Sequence, residues 1–173
     1  MDLEEAIRTR RTHKAYGPQP VDRATLEELL ELGRWAPNHH LTNPWRFAVL
    51  GPAALEALKA AADALDPGSG VKLDRAPTLV AVTARQCGDD PVADEEDLLA
   101  AGCAAYAVLL GAHARGLAAY WRTPAVLRDP AGLAAIGAEA GERAVGLLHL
   151  GPPRQEQRVP ERAPLADVVR WLD

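Results

Sequence analysis

The chain has 173 residues, of which 48% are hydrophobic and 25% are charged, and its formal net charge is −5. These values are typical of one globular domain with its own core, so residues 1–173 are predicted to form a single domain. The acidic total argues against a broad basic face, and we expect no nucleic-acid partner. Cys87 and Cys103 share no metal-ligand spacing, and they favour a reduced, cytoplasmic protein over a disulfide scaffold.

The spacing of apolar residues, together with start and stop signals, predicts six helices. They cover residues 2–9, 25–36, 53–65, 94–114, 130–138 and 166–172. Thr25 followed by Glu28 forms a capping box at the start of the second helix. Four acids at residues 94–97 place negative charge where the fourth helix should begin, as a helix N-terminus prefers.

The stretch 98–112 is apolar almost all round the predicted helix. It is too short and too rich in Ala and Gly to span a membrane, so we expect a buried helix and no membrane association. One small domain cannot bury such a helix on every side, which predicts that a second subunit covers part of it. The proline-containing tail from Arg154 onward has no evident core of its own, and we expect it to lie on a partner subunit too.

Four strands are predicted between these helices, over residues 45–50, 78–84, 117–121 and 143–150. Residues 78–84 are nearly all apolar or β-branched, which is typical of a strand covered on both faces. Helices and strands alternate irregularly, with no internal repeat and no linker. The sequence therefore predicts an α+β fold in which a sheet packs against helices.

The loop 35–45 combines two tryptophans, two histidines and both asparagines of the chain. Pro37 and Pro44 lack backbone donors and force the residues before them out of helical geometry, so the loop should be stiff. Large flat side chains in a stiff loop favour the wall of a binding site. The alternative is a packed loop in which Trp35 and Trp45 fill the core.

Two units combine cations with hydroxyl groups. The first is the run Arg10, Arg11, Thr12 and Lys14, and the second is Trp121-Arg122-Thr123 at a strand end. Arg with Thr suits a phosphate, and the tryptophans suit a flat ring, so together the units predict one ligand with both features. The alternatives are a solvated basic turn and a buried aromatic beside a surface charge.

Several chemistries find no support in the sequence. The only serine, Ser69, lies in a Pro-Gly loop without a nucleophile elbow, and neither a P-loop nor a Rossmann glycine pattern is present. His39 and His40 are adjacent, and regular structure would point them apart, so a metal pair is disfavoured and no metal site is predicted. His113 and His149 are interpreted as core or edge residues with satisfied ring nitrogens.

The motifs resemble those of the FMN-dependent nitroreductase family. The run 10–16 is similar to the family's Arg-x-Ser/Thr-x-Arg/Lys opening, and Trp35-Ala36-Pro37 with Asn43-Pro44-Trp45 is similar to its Ala-Pro-Ser-x-x-Asn-x-Gln-Pro-Trp segment. Trp121-Arg122-Thr123 and the strand end at 146–152 match pieces of the short bacterial members. The match covers most of the chain, in the same order and spacing.

The sequence departs from the family pattern within the loop. Asn38 stands where the family has serine, Leu41 where it commonly has asparagine, and Asn43 where it has glutamine. His39 takes a place like that of a histidine in the compact branch. The chain also lacks the insertions that often shape the substrate pocket, so the resemblance predicts flavin binding more sharply than it predicts the substrate.

The resemblance implies a nitroreductase-like fold, with a central, mostly antiparallel sheet flanked by helices and a C-terminal arm exchanged in a homodimer. It implies FMN at the subunit interface, with sites built from both chains. The residues carried over as cofactor-binding are Arg10, Arg11, Thr12, Lys14, Trp35, His39, Trp121, Arg122 and Thr123. Trp35 and His39 would come at least in part from the partner subunit, and no catalytic acid or base is identified.

The activity that the resemblance implies is oxidation of NADH or NADPH with reduction of a nitroaromatic, quinone or related small-molecule acceptor. The flavin would carry the chemistry, and the protein would supply orientation and charge. A cation near the pyrimidine edge would stabilise the reduced flavin, and Lys14 is the candidate. The alternatives are a non-catalytic flavin carrier or sensor, and a dehydrogenase or flavin-destroying oxygenase on the same fold.

Overall fold

A four-stranded antiparallel sheet forms the centre of the computed structural model, which describes residues 1–172. The strand order is β1-β2-β4-β3, with β1 at Trp45–Val49, β2 at Thr78–Arg85, β3 at Ala118–Arg122 and β4 at Glu142–Gly151. Every residue of β2 except the last is buried, as the run of apolar and β-branched side chains predicts. All three strand pairings are antiparallel, and all four predicted strands are present.

Five α-helices surround the sheet, at Leu3–Thr9 (α1), Arg23–Arg34 (α2), Pro52–Leu65 (α3), Pro91–Ala114 (α4) and Pro130–Ala135 (α5). One face of the sheet packs against α2 and α4, and the other face packs against α3 and α5. The strand side chains alternate between these two layers, because successive residues of a strand point to opposite faces. This alternation decides which predicted site residues can meet.

Helix α4 is the longest element and the centre of one layer. Asp90 caps it and Pro91 is its first residue, so the helix begins three residues before the predicted start at 94. Its small residues Ala101, Ala104 and Ala105 are fully buried against the sheet and α2. By length and composition α4 could also cross a membrane, but these contacts make it a core helix of the domain.

Three other predicted boundaries are wrong. Helix α2 begins at Arg23 because Asp22, rather than Thr25, is its N-cap and accepts the Thr25 N–H at 3.0 Å. Helix α5 ends at Ala135, three residues early. The last predicted helix is only a 3-10 turn at Leu165–Asp167, because the tail runs over the surface without a packed face.

Strand β4 carries a bulge beside the end of β3. Val82 pairs with Gly146 and Thr83 pairs with Ala144, which leaves Val145 without a partner on β2. A bulge bends its strand and re-aims the side chains and backbone groups around it. The Val145 carbonyl is one such group, and it takes part in the candidate site.

Candidate functional site

The basic segment 10–16 lies along the free edge of the sheet. The Arg10 N–H closes α1 by donating to the Ala6 carbonyl, after which Thr12 forms an isolated parallel bridge with Ala119 of β3. The His13 N–H donates to the Ala119 carbonyl at 3.1 Å. Since β3 is an edge strand, these contacts fix the segment where a short piece of an extra strand would lie.

The cations of this segment have different local roles. Arg11 donates from its guanidinium to the carbonyls of Arg8, at 2.7 Å, and of Arg10, at 2.8 Å, so it braces the C-terminal end of α1. The Arg10 Nε atom is buried without a hydrogen-bond partner in the described chain. Thr12 and Lys14 are exposed, and Lys14 forms no ion pair with any residue that the structure describes.

Two histidines lie beside Arg10. His113, in the last turn of α4, contacts Thr9 with 2.7 Å between Nε2 and Oγ1. The Nδ1 atom of His13 is buried without a partner in the part of the chain that the structure describes. Burial lowers the pKa of His13, and the nearby His113 and Arg10 lower it further. Burial and the charges of Arg10 and Arg11 likewise lower the pKa of His113.

Trp121 lies at the end of β3 on the face that α4 covers. Its indole Nε1 donates to the Val145 carbonyl at 3.2 Å, the group that the β4 bulge presents. The ring lines a groove of about 650 Å³ that faces solvent between α4 and the ends of β3 and β4. The groove is mostly apolar, with two cations at its rim, and its other lining residues include Gly102, Cys103, Tyr106, Arg128 and Arg143.

Arg122 lies on the opposite face of the sheet from Trp121, as strand alternation requires. Its guanidinium donates to the Lys72 carbonyl at 3.2 Å and lies 5.8 Å from the centre of the Tyr120 ring. It lines a small cavity of about 180 Å³ beside α3. None of these contacts joins Arg122 to Trp121 or to the cations of the basic segment, although its charge reaches Tyr16, where burial raises the pKa of the phenol and the guanidinium opposes that rise. Thr123 follows as an exposed residue.

Trp35 and His39 lie at the other end of α4. Trp35 is 75% exposed, and its Nε1 atom donates to Glu31 at 2.9 Å. His39 Nδ1 is 2.7 Å from a Glu96 carboxylate oxygen, and Thr42 donates to Asp97 at 2.6 Å. These two contacts dock the loop onto the N-terminal part of α4.

The loop itself has an unusual backbone. His40, Leu41 and Asn43 have φ values of 51°, 53° and 48°, a left-handed region that costs non-glycine residues about 1 kcal/mol each. The turn at His40 stacks its ring on His39 with 3.9 Å between centroids, so the expectation that the two rings point apart is wrong. The Asn38 side chain braces the loop by accepting the Asn43 N–H at 2.9 Å. Strain of this kind concentrates at functional sites.

Predictions were also made for His149 and for metal binding. His149 is a core residue, 1% exposed, but neither of its ring nitrogens has a partner among residues 1–172, so the prediction that they are satisfied is wrong. Within residues 1–172, no group of three or more His, Cys, Asp or Glu side chains could hold a metal ion.

Comparison with known proteins gives one consistent result. The family model described as "Nitroreductase family" matches residues 7–151, which is most of the chain. The chain belongs to the nitroreductase family. A curated relative from Escherichia coli K12, named "Putative NAD(P)H nitroreductase YdjA", is 31% identical over 162 residues, which cover 88% of each chain.

Solved nitroreductase structures share the whole fold. A nitroreductase-like family protein from Bacillus cereus superposes with a TM-score of 0.89, covers 100% of this chain and 97% of its own, and is 22% identical. A nitroreductase from Desulfovibrio desulfuricans, solved in complex with FMN, is 26% identical with a TM-score of 0.82 and covers 98% of this chain and 96% of its own. The predicted family and the predicted α+β nitroreductase fold are confirmed.

Beside the predicted site residues, the structure places several residues that the sequence did not indicate. His13 occupies a variable position of the opening motif, and His113, which belongs to no motif, is 100 positions further along the chain. Val145 and Gly146 were absent from the predicted site because a bulge leaves no clear mark in a run of apolar residues. Asn38 was noted only as a departure from the family's serine, although it braces the loop.

Proposed function

We propose that this nitroreductase-family protein is an FMN-dependent oxidoreductase that uses NADH or NADPH to reduce small acceptors such as nitroaromatics and quinones. The FMN complex of the Desulfovibrio desulfuricans relative, which shares the fold over 98% of this chain, carries the proposal. The naming of YdjA as an NAD(P)H nitroreductase supports the choice of reductant. The free, exposed cysteines fit a reducing cytoplasmic compartment, and we expect neither membrane nor nucleic-acid partners.

The residues present fit a phosphorylated flavin. The basic segment offers Arg10, Thr12 and Lys14, and the buried Arg10 Nε atom has no partner among residues 1–172. Buried polar atoms in native proteins are nearly always satisfied, so an unpaired cationic donor indicates an anion that the chain itself does not supply. The apolar groove beside Trp121 fits the flat ring, because cofactor sites are mainly apolar with a few polar groups.

The distance along α4 supports a site built from two subunits. His39 contacts Glu96, and Thr9, next to the basic segment, contacts His113. These α4 residues are 17 positions apart, or about 25 Å at 1.5 Å per residue. Trp35 and His39 are therefore too far from their own subunit's basic segment for both to contact the same end of a bound flavin. Two α4 helices packed antiparallel about a two-fold axis would bring the loop of one subunit to the segment of the other.

Exposed apolar surface supports the same homodimer. Leu99 on α4 is 64% exposed, and in the C-terminal arm Leu165, Val168 and Trp171 are exposed, Trp171 to 90%. Burying such side chains on a partner gains about 25 cal/mol per Å². We propose that the arm of each subunit lies on the other, with FMN between them.

Each predicted residue receives a role in this proposed site. Thr12, Lys14, Trp121 and Thr123 would contact the cofactor directly, with Arg10 at the phosphate and Trp35 and His39 of the partner subunit lining the ring. Arg11 would position the segment through its contacts with α1. Arg122 would support the strand end from the opposite face rather than touch the phosphate.

Bound FMN would supply the redox chemistry, taking electrons from NAD(P)H and passing them to the acceptor. The chain would orient the ring and set its electrostatic surroundings. The exposed ammonium of Lys14 would place positive charge at the pyrimidine edge, where reduction develops negative charge. No acid–base pair with suitable geometry is evident among the described groove residues, so binding and charge would be the protein's main contribution.

Two measurements test the proposal. The purified protein should be yellow, and chromatography of the heat-released cofactor should identify FMN; release of FAD, or no flavin even after reconstitution, would contradict it. The flavin-loaded protein should then oxidise NADH or NADPH in the presence of a nitroaromatic or a quinone. Binding of FMN without turnover on either class would instead support the carrier or sensor alternative.

A further inference from the structure

Four residues, Thr9, Arg10, His13 and His113, form a cluster that is rich in cationic groups and has buried polar atoms without hydrogen-bond partners among the described residues. Both Arg10 Nε and His13 Nδ1 are buried without partners in the described chain, and they belong to adjoining parts of one surface. A buried polar atom left without a partner destabilises the folded state, because nothing compensates its loss of hydration. Two such atoms in one cluster indicate a ligand that is bound there in the working protein.

The contacts of Thr9 fix the tautomer of His113. The Thr9 hydroxyl donates its only proton to the Glu5 carbonyl at 2.6 Å, so it can only accept from His113 Nε2 at 2.7 Å. Neutral His113 therefore carries its proton on Nε2 and has a lone pair on Nδ1. A second proton would make Nδ1 a donor as well and give the ring a full positive charge.

Charged groups around the cluster come from three elements. Helix α1 contributes Glu5, which favours the charged form of His113, while Arg8 is paired outward with Glu4 at 3.7 Å. The segment after α1 contributes Arg10 and Arg11. The end of α4 adds Arg115, which Glu28 of α2 neutralises at 3.0 Å. The cluster therefore has several cations and one nearby free carboxylate. A bound phosphate would neutralise this excess of positive charge.

We infer that His13 and His113 form a proton-dependent part of the phosphate site, in which binding of the FMN phosphate is coupled to protonation of both rings. This inference rests on the proposed function, because it requires that FMN binds beside Arg10. Without ligand, burial and the neighbouring cations keep the pKa of each histidine below its ordinary value. A phosphate at the cluster reverses the electrostatic balance, so each ring takes up a proton on binding. By linkage, the contribution of these two histidines to FMN affinity must rise as the pH falls.

The test uses the flavin-stripped full chain and its His113→Gln variant. Glutamine can still donate to Thr9 but never gains a charge. FMN dissociation constants are measured by flavin fluorescence from pH 5.5 to pH 8. The phosphate of free FMN also titrates near pH 6, but this effect is common to both proteins and cancels in the ratio of their dissociation constants.

We expect that ratio, variant over wild type, to be close to one at pH 8 and to rise to about tenfold at pH 5.5, since a tenfold coupling corresponds to one pKa unit. His13→Gln should behave similarly. The control Arg8→Gln removes an exposed charge that is paired with Glu4, and its ratio should stay flat. Riboflavin, which lacks the phosphate, should bind both proteins with the same pH dependence.

A ratio that stays flat in proteins that bind FMN would overturn the coupling and leave the proposed function intact. Failure of the wild type to bind FMN at any pH would instead remove the proposed function itself. Should His113→Gln not fold, ring titrations of the wild type by NMR give the same answer. Midpoints of His13 and His113 that do not move upward when FMN is added contradict the inference.

Discussion

The indole of Trp121 packs directly on the backbone of Gly146. A methyl group added at Gly146 would stand 2.5 Å from the Trp121 Cδ1 atom and 2.9 Å from the Arg122 carbonyl oxygen, too close for any side chain. The neighbouring Val145 carbonyl accepts the hydrogen bond of the same indole. The bulge in β4 and the absence of a side chain at Gly146 therefore set the orientation of Trp121 together.

Gly146→Ala should displace the indole and weaken FMN binding. Overpacking of this kind costs about 1–3 kcal/mol, and we expect flavin affinity to fall by roughly tenfold or more. Near-UV circular dichroism would report the indole, and flavin fluorescence the affinity. Gly51→Ala, away from the groove, is the control, because its added methyl would meet no atom within 4 Å. Equal flavin affinities for the two variants would contradict this role for Gly146.

His149→Leu should make the protein more resistant to acid. Burial lowers the pKa of His149 to about 3, with smaller contributions from Arg122 and Arg75. In the unfolded chain the ring takes up a proton below about pH 6.5. Between pH 6.5 and pH 3 the unfolded state thus binds more protons, and the free energy of unfolding falls by up to about 1.4 kcal/mol per pH unit as the pH is lowered.

Urea unfolding at pH 7 and pH 4.5 measures this effect. Between pH 7 and pH 4.5, the free energy of unfolding of the wild type should fall by roughly 2–3 kcal/mol more than that of His149→Leu. At pH 7 the variant should be about as stable as the wild type, because neither ring nitrogen has a hydrogen bond to lose. His40→Gln, which changes an exposed histidine, is the control. Its free energy of unfolding should change between the two pH values as much as that of the wild type. Parallel losses in the wild type and His149→Leu would refute the prediction.

The sequence predicted the helices and strands better than it predicted which residues lie close together in space. Strand β2 and helix α4 follow from unbroken apolar runs, and Pro37 and Pro44 bound the loop as local backbone sterics require. The faces on which strand side chains end up depend on register, so Trp121 and Arg122 were grouped as one unit although they point to opposite layers. Similarly, adjacent His39 and His40 stack because of a positive φ that no residue pattern announces.

For the same reason, the sequence could not predict contacts between residues that are far apart along the chain. The approach of His113 to Thr9 depends on how α1 packs against the end of α4, and nothing local in either segment records it. The C-terminal arm was predicted to lack a core, which its exposed side chains support, but the short helix expected within it does not form. Helix patterns are reliable only where a packed face selects them.

Arg10→Ala should weaken FMN binding more than Arg122→Ala does. Loss of a charge-assisted phosphate contact costs roughly 1.5–3 kcal/mol, or about tenfold to a hundredfold in affinity. Arg122 instead donates to the Lys72 carbonyl on the opposite face, so its removal should lower the free energy of unfolding with a smaller effect on flavin affinity. Flavin titration and urea unfolding of both variants separate the two roles. A larger loss of affinity in Arg122→Ala would restore that residue to the phosphate site.

Removal of the C-terminal arm should dissociate the proposed dimer and abolish tight FMN binding. A chain that stops before Arg154 keeps all four strands and all five helices, so the domain should still fold. It loses the exposed apolar residues Leu165, Val168 and Trp171, whose burial on the partner would contribute most of the arm's stabilisation. Because Trp35 and His39 lie about 25 Å along α4 from their own basic segment, a monomer would lack one wall of the site.

Light scattering during a flavin titration measures mass and binding together. The full chain should be a dimer that binds FMN, and the truncated chain should be a folded monomer that binds it at least a hundredfold more weakly. Trp171→Ser in the full chain is the milder variant, and it should shift the monomer–dimer equilibrium and flavin affinity in the same direction. Permanent dimers commonly bury more than about 2,000 Å², so one truncated side chain should weaken the dimer without eliminating it. A wild-type monomer that holds FMN tightly would show that each subunit completes its own site, and the two-subunit arrangement would then be wrong.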